Sequence, residues 1–305
     1  MKNNSLVLFI RLSRPLFIVG GIGQFLLGAG IARYLGYSID PLPFFLGVGW
    51  VVSMQLTTHY LNEYFDAPLD QKNPNRTPFS GGSGVLGDEE GQLKRNVGIV
   101  AAGTGMTVVA FLTIAINQNG LMHPGLGLVM ALIFLGGFFY STPPVRLTHS
   151  GYGELTTSIL VGNLVPIFAF LLFGDQMHRL VIMSTLPLTF LIFSLLLAVE
   201  FPDYATDLKF GKRNLIVRIG WENGMGLHNT FILLAFVVLG LGGVFGIPTA
   251  IVLPAFLPLP LGLLQINTMR RIADGAKPNW MLLTMNGVAT IGLLVYLLAY
   301  AFWTR

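Results

Sequence analysis

Apolar stretches of roughly 20 residues, the length a helix needs to cross about 30 Å of hydrocarbon, recur along the whole chain. Nine can be placed, at approximately 15–36, 41–61, 96–117, 121–141, 153–174, 180–200, 226–245, 248–268 and 280–303. Between the seventh and eighth the only punctuation is Gly246-Ile247-Pro248, so these two can also be read as one broken span. Composition excludes a water-soluble alternative. Only 10% of the residues are charged and mean hydropathy is +0.69, whereas a soluble surface needs about a quarter or more of its positions charged. The expected fold class is all-α, a polytopic membrane protein with a bundle of about nine transmembrane helices.

The sequence contains no Cys, which rules out disulfides, thiolate metal sites and Cys nucleophiles. The basic start of the chain precedes an apolar run longer than a signal-peptide core, and a second span follows almost at once, so the segment is expected to be retained. With a cytoplasmic N-terminus and nine alternating spans, fifteen of the 18 Lys and Arg residues fall inside and only Arg33, Arg179 and Arg305 outside. That asymmetry follows the positive-inside rule and supports an odd number of spans. It also accounts for the +4 net charge without nucleic acid. The protein is expected to be integral and multi-pass, in the cell membrane if prokaryotic, with its C-terminus outside.

Charge is concentrated in two connections on the cytoplasmic side. Asn62 to Arg95 carries ten charged residues in 34, and Glu200 to Glu222 carries eight in 23. In the first, Asn62, Asp66 and Asp70 recur at i, i+4 and i+8 and share one helix face, with Pro68 expected to disturb the last turn. In the second, Asp203 and Asp207 repeat the four-residue spacing, with Glu200 one turn earlier and Pro202 at a helix start. Like charges at i, i+4 repel on a bare helix, and a divalent cation between them would reverse the penalty. Hard oxygen ligands suit Mg²⁺, which binds through one or two carboxylates plus substrate phosphates. Lys72, Arg76, Lys209, Lys212 and Arg213 would then hold phosphate oxygens. Together these groups describe a diphosphate site. Each loop follows one pair of spans and precedes another, as in a duplicated helical unit with halves of roughly 1–145 and 146–305, closing one site within a single domain over 1–305.

Other motifs are less specific. Gly82-Ser83-Gly84-Val85-Leu86-Gly87 matches G-x-G-x-x-G but follows Pro78-Phe79-Ser80-Gly81 rather than a strand, and reads as a flexible lid. Its backbone N–H groups are candidates for approach to a phosphate. His59, one turn before Asn62, is either cavity-lining or a satisfied helix-face histidine.

Asn62-x3-Asp66-x3-Asp70, Asp203-x3-Asp207 followed by Gly211-Lys212-Arg213 and Val217-Arg218-Ile219-Gly220, and Tyr140-Ser141-Thr142-Pro143-Pro144-Val145-Arg146 between the fourth and fifth spans resemble the UbiA superfamily of intramembrane prenyltransferases. The resemblance implies nine helices around a central cavity, with both aspartate motifs coordinating Mg²⁺ on an isoprenyl diphosphate and a lipid-facing opening for its tail. Glu63 stands where many members have a second Asp, Glu200 where Asn is frequent, and Thr148 and His149 where Lys or Arg is frequent. The stretch from Gly211 to Gly220 is similar to the 1,4-dihydroxy-2-naphthoate-prenylating branch that serves menaquinone synthesis. The Tyr140 to Arg146 stretch is more like branches acting on glycerol phosphates or chlorophyll-type acceptors.

The implied reaction transfers an isoprenyl group from its diphosphate to an aromatic quinone-precursor acceptor within the membrane. Asp66, Asp70, Asp203 and Asp207 are the expected metal ligands, and Asp66, Asp207 and Tyr140 the expected catalytic residues. Asn62, Lys72, Arg76, Arg146, Lys209, Lys212 and Arg213 are the expected diphosphate contacts. Tyr64, Phe65, Tyr140 or Tyr204 can shield an allylic cation. A terpene cyclase of the same fold, or transfer to a non-aromatic acceptor, would use the same metal site. A secondary transporter should instead place polar groups near mid-bilayer at broken helices.

Overall fold

The computed structural model describes residues 4–74, 77, 79–87 and 91–305. Among these residues there is no strand, and extended pairing is limited to a bridge between Leu86 and Leu93. Helix α1 (Ser5–Leu12) leads into α2 (Pro15–Tyr34), α3 (Pro41–Asp70), α4 (Asn96–Gln118) and α5 (Pro124–Phe138). Helices α6 (Gly153–Ile159) and α7 (Val165–Leu171) continue one another through a π-helical turn at Leu160–Leu164. Pro166, just past that turn, has no N–H to offer the preceding carbonyls, a local reason for the wider winding. Helix α8 (Arg179–Glu200) passes through a 3₁₀ turn, Phe201–Asp203, into α9 (Tyr204–Phe210), and α10 (Leu215–Ile219) follows. The chain ends with α11 (Trp221–Val244), α12 (Thr249–Ala255), α13 (Leu259–Ala273) and α14 (Trp280–Thr304).

Seven of the described units are long and apolar enough to cross a membrane: α2, α4, α6–α7, α8–α9, α11, α12–α13 and α14. The other two expected spans form helices outside that criterion. Helix α3 is 30 residues long but turns polar toward its end, and α5 has only 15 residues because Pro124 starts it and the turn after Phe138 stops it. The alternative of one broken span over the seventh and eighth stretches is corrected. Helix α11 alone has 24 residues, beginning at Trp221 after a left-handed Gly220, and the break falls inside α12–α13 at Phe256-Leu257-Pro258. Pro68 lies within α3 without ending it, so Asp70 is still helical.

Apolar burial gains little when the solvent is lipid, and small residues and internal hydrogen bonds hold such helices together instead. Helix α2 is clasped between α7 and α14, α3 lies along α4, and α8 along α11. A Cβ on Gly28 would collide with the Pro166 carbonyl, so only glycine allows α2 this close to α7. Buried Thr57, Thr185 and Thr284 return their hydroxyls to the i−4 carbonyls at 2.7, 2.8 and 2.9 Å. Trp50, buried against Phe168 at 4.9 Å between ring centres, donates its indole N–H to Thr113 and so ties α3 to α4. Phe45 and Phe111 are 70% and 69% exposed, as side chains facing acyl chains should be.

Candidate active site

The last two turns of α3 continue past the apolar stretch and present Asn62, Asp66 and Asp70 at one end of the bundle. Asn62 donates to Asp66 Oδ2 at 2.8 Å and to Ser141 Oγ at 3.0 Å. The Tyr140 to Arg146 connection folds back on itself through Leu147 N–H to Phe139 and Thr148 N–H to Tyr140, at 3.1 and 2.9 Å. With Arg146 left-handed at φ 46°, this turn delivers Arg146 and His149 to Asp66 Oδ1, at 3.5 and 3.3 Å.

The second aspartate pair faces the first. Asp203 accepts from Asn73 Nδ2 at 2.5 Å and from the Gly81 N–H at 3.0 Å. Asp207 accepts from Asn214 Nδ2 at 2.8 Å, and Lys212 Nζ stands 3.9 Å away. The glycine run is not free to meet a phosphate with all its N–H groups, because Gly81 donates to Asp203 and Ser83 N–H and Oγ–H both donate to Glu63, at 2.7 Å each. Gly82 has φ +69°, and a Cβ there would strike the Asp70 carboxylate. The Glu63 carboxylate also binds Arg14, which adopts φ 49° just before α2. His59 is a satisfied histidine, its Nδ1 3.3 Å from the Ser13 carbonyl and its ring edge-on to Phe17.

These elements surround a cavity of about 90 Å³ that opens at the bundle end. Asn62, Asp66, Asp70, Tyr140, Asp203 and Lys212 line it, all of them expected from the sequence. Arg14, Thr148, Glu154 and Glu200 line it as well and were not among the expected site residues. The signal for Glu154 was available: an acidic residue at the start of an apolar span is costly unless it has work to do.

Other expected contacts lie elsewhere. The Lys72 and Lys209 ammonium groups both sit over the Phe210 ring, at 4.5 and 5.5 Å, and Arg213 is exposed with its carbonyl accepting from Arg218 at 3.3 Å. None of the three lines the cavity. Asp207 and Arg146 act from behind its wall, and Arg76 lies outside the described residues.

Five carboxyl groups and two cationic side chains, Arg14 and Lys212, line the cavity among the described residues. Burial alone would lower the Lys212 pKa, but Asp66, Asp207, Asp70 and Glu200 outweigh it and hold the ammonium above the ordinary lysine range. Burial also opposes ionisation of Asp66, yet the His149 hydrogen bond and the charges of Lys212, His149 and Arg146 keep it below the usual carboxylate range. At Asp70 burial prevails over Lys212 and Arg14, with Asp66 and Glu63 adding repulsion, and the group is pushed up to about 7. An anionic diphosphate has no reason to enter so acidic a pocket by itself. A hard divalent cation fits this donor set. No three carboxylate or imidazole side chains among the described residues form a ready cage.

A bundle of apolar, membrane-length helices with an acidic chamber at one end defines a polytopic membrane protein with one candidate active site. The chain belongs to the UbiA prenyltransferase family, whose sequence profile matches residues 22–288, and it is a prenyltransferase. It is 21% identical over 280 residues to the 1,4-dihydroxy-2-naphthoate octaprenyltransferase of Bacillus subtilis, covering 92% of this chain and 86% of that one. It is 28% identical over 193 residues to the chloroplast 2-carboxy-1,4-naphthoquinone phytyltransferase of Arabidopsis thaliana, a match spanning 58% of this chain and only half of the plant protein. A UbiA homologue from Archaeoglobus fulgidus, solved with GPP and Mg²⁺, has the same fold, with a TM-score of 0.66 at 16% identity over 98% of this chain and all of that one. Membership of the family removes the transporter reading and establishes an integral, multi-pass membrane protein.

Proposed function

We propose that the protein transfers an isoprenyl group from a prenyl diphosphate to an aromatic, quinone-precursor acceptor, with Mg²⁺ as cofactor. The observation that carries the reading is the convergence of both aspartate motifs and Lys212 on one cavity, where the sequence places them 130 residues and more apart. The relatives named for naphthoate acceptors support the acceptor class.

Asp66, Asp70, Asp203 and Asp207 would hold the metal, which when bound supplies neutralisation of the charge that develops on the leaving diphosphate. Lys212 offers its N–H groups to the same oxygens from inside the cavity, and Arg14 adds a second positive charge. Asn62, Asn73 and Asn214 fix the carboxylates of Asp66, Asp203 and Asp207. Tyr140, Leu196 and Val199 form the apolar wall that keeps water from an allylic cation and lends an aromatic face to it. The acceptor ring then attacks the prenyl C1, and loss of a proton or of CO₂ restores aromaticity.

The prenyl tail would lie among the helices. The diphosphate would enter from the cytoplasm, the side to which fifteen of 18 basic residues fall, and the two halves would meet at the site. The test is to incubate purified protein and Mg²⁺ with a panel of prenyl diphosphates and aromatic acids, 1,4-dihydroxy-2-naphthoate included, and read products by mass. A prenylated aromatic product is expected. Consumption of prenyl diphosphate to a cyclic hydrocarbon without acceptor would replace transfer by cyclisation.

A further inference from the structure

Glu154 and Glu200 stand apart from both aspartate motifs yet line the same cavity. Glu154, 3% exposed, opens α6 and has one oxygen committed, Oε1 accepting the Leu215 N–H at 2.8 Å. Its Oε2 is sealed from solvent without a donor among the described residues, and so is Glu200 Oε2. The two carboxyl groups lie against each other, which gives neither a donor unless one carries a proton. Thr148, 6% exposed and also on the cavity wall, has a buried Oγ1 with no partner. Unsatisfied buried oxygens are costly, and native structures keep them where a ligand completes them. For the two carboxyl oxygens the missing element is a hydrogen-bond donor, and the Thr148 hydroxyl can donate or accept. Beside it, Tyr140, Leu196 and Val199 supply flat and apolar surface of the sort that holds a ring.

We propose that the Glu154–Glu200 pair binds a ring hydroxyl of the acceptor and takes its proton as the ring attacks. This rests on the reading of the protein as an aromatic prenyltransferase and names the base for it. The O–H bonding pair becomes the π bond of a ring carbonyl while the proton passes to a Glu carboxylate. A ring π pair forms the new bond to prenyl C1, and the C1–O bond breaks with its pair on the diphosphate. The attacked carbon then loses its proton to the released diphosphate, or CO₂ where it bears a carboxylate, with the freed pair returning to the ring, and the carbonyl oxygen recovers a proton from the Glu pair as the hydroxyl ring reforms. A hydroxylated aromatic acceptor is thus the substrate class, because an ether at that position has no proton to give.

The test uses the full-length protein with Mg²⁺, comparing Glu154→Gln and Glu200→Gln with the unsubstituted enzyme on a hydroxylated acceptor and on its methyl ether. The unsubstituted enzyme should prefer the hydroxylated acceptor by about 100-fold or more, the scale of general-base catalysis. Each substitution should remove most of that preference, and prenyl diphosphate binding, measured without acceptor, should be unchanged. Glu154→Gln keeps an oxygen for the Leu215 N–H, and Glu200 anchors no backbone group among the described residues, so Glu200→Gln carries the test if Glu154→Gln does not fold. Unchanged preference in a folded variant would overturn the inference. So would equal loss of prenyl diphosphate binding, which would assign the pair to the diphosphate end. If the unsubstituted enzyme itself prenylates no aromatic acceptor, it is the proposed function that fails.

Discussion

Asn73 donates to the Asp203 carboxylate at 2.5 Å, although 130 positions separate them in the chain. The contact joins the loop after α3 to the turn after α8, and Gly81 adds a second bond to the same carboxylate. A charge-assisted hydrogen bond of this kind is worth about 1.5–3 kcal/mol. Asn73→Ala is therefore expected to lower kcat/KM for prenyl diphosphate by roughly 10- to 100-fold, since every 1.4 kcal/mol is tenfold. The helical circular dichroism of the bundle should be unchanged. An undiminished kcat/KM would show that the Asn73 bond does not orient Asp203.

The acidity of the chamber makes a second expectation. EDTA should abolish transfer and Mg²⁺ should restore it, because five carboxyl groups and two cations cannot by themselves retain a diphosphate. Asp66→Ala or Asp207→Ala should insert and fold normally and cost on the order of 100-fold or more in rate, the scale of losing a main electrostatic contact. Full turnover in excess chelator would sink the metal reading, and near-normal rates in both variants would move the site.

The basic residues should separate sharply. Lys212 faces the carboxylates from within the cavity, whereas Lys72 and Lys209 are exposed and rest on Phe210. Lys212→Ala is expected to cost about 100-fold or more in kcat, with partial recovery in Lys212→Arg. Lys72→Ala and Lys209→Ala should stay within about 5-fold, as exposed charges do. Rates measured at saturating Mg²⁺ would decide it, and equal losses in all three would restore the reading that treats them alike.

That separation marks what the sequence makes legible. Regular spacing of apolar runs and of Asn62, Asp66 and Asp70 follows from helical period, so the helices and the shared face of the first motif can be read directly. Which of several nearby lysines turns inward depends on tertiary folding: Lys212 is carried in by its main-chain bond to the Asp207 carbonyl at 3.0 Å, and Lys209, two residues after Asp207 on the seven-residue α9, points to the side of that helix away from Asp207. Arg14 is legible only as a basic residue before a span, and its link to Glu63 comes from the pairing of α2 with α3. Helix α1 has no long apolar run to announce it, and it takes shape from an Asn4 cap and contact with α3.

Contacts between distant helix ends also bear on how many times the chain crosses the bilayer. Arg14 binds Glu63, so α2 and α3 must leave and return to one face. Asn73 binds Asp203, so an even number of crossings is expected between them, and with three fully qualified units, α4, α6–α7 and α8–α9, the expected fourth is α5. At about 1.5 Å per residue, the 15 residues of α5 reach roughly 22 Å, which a bilayer meets by local thinning. Trp280, opening α14, lies 5.8 Å from Trp221, opening α11, so two crossings separate these as well. With the last helix the expected total is nine, and Arg305 is expected opposite the site. Because the chain contains no Cys, single cysteines labelled by a membrane-impermeant maleimide can report each face. Val145→Cys and Gly275→Cys are expected to label from the cytoplasmic side, and Gly120→Cys and Arg305→Cys from the other. Labelling of Gly120→Cys and Val145→Cys from the same side would mean that α5 does not cross, and the count of nine would fall.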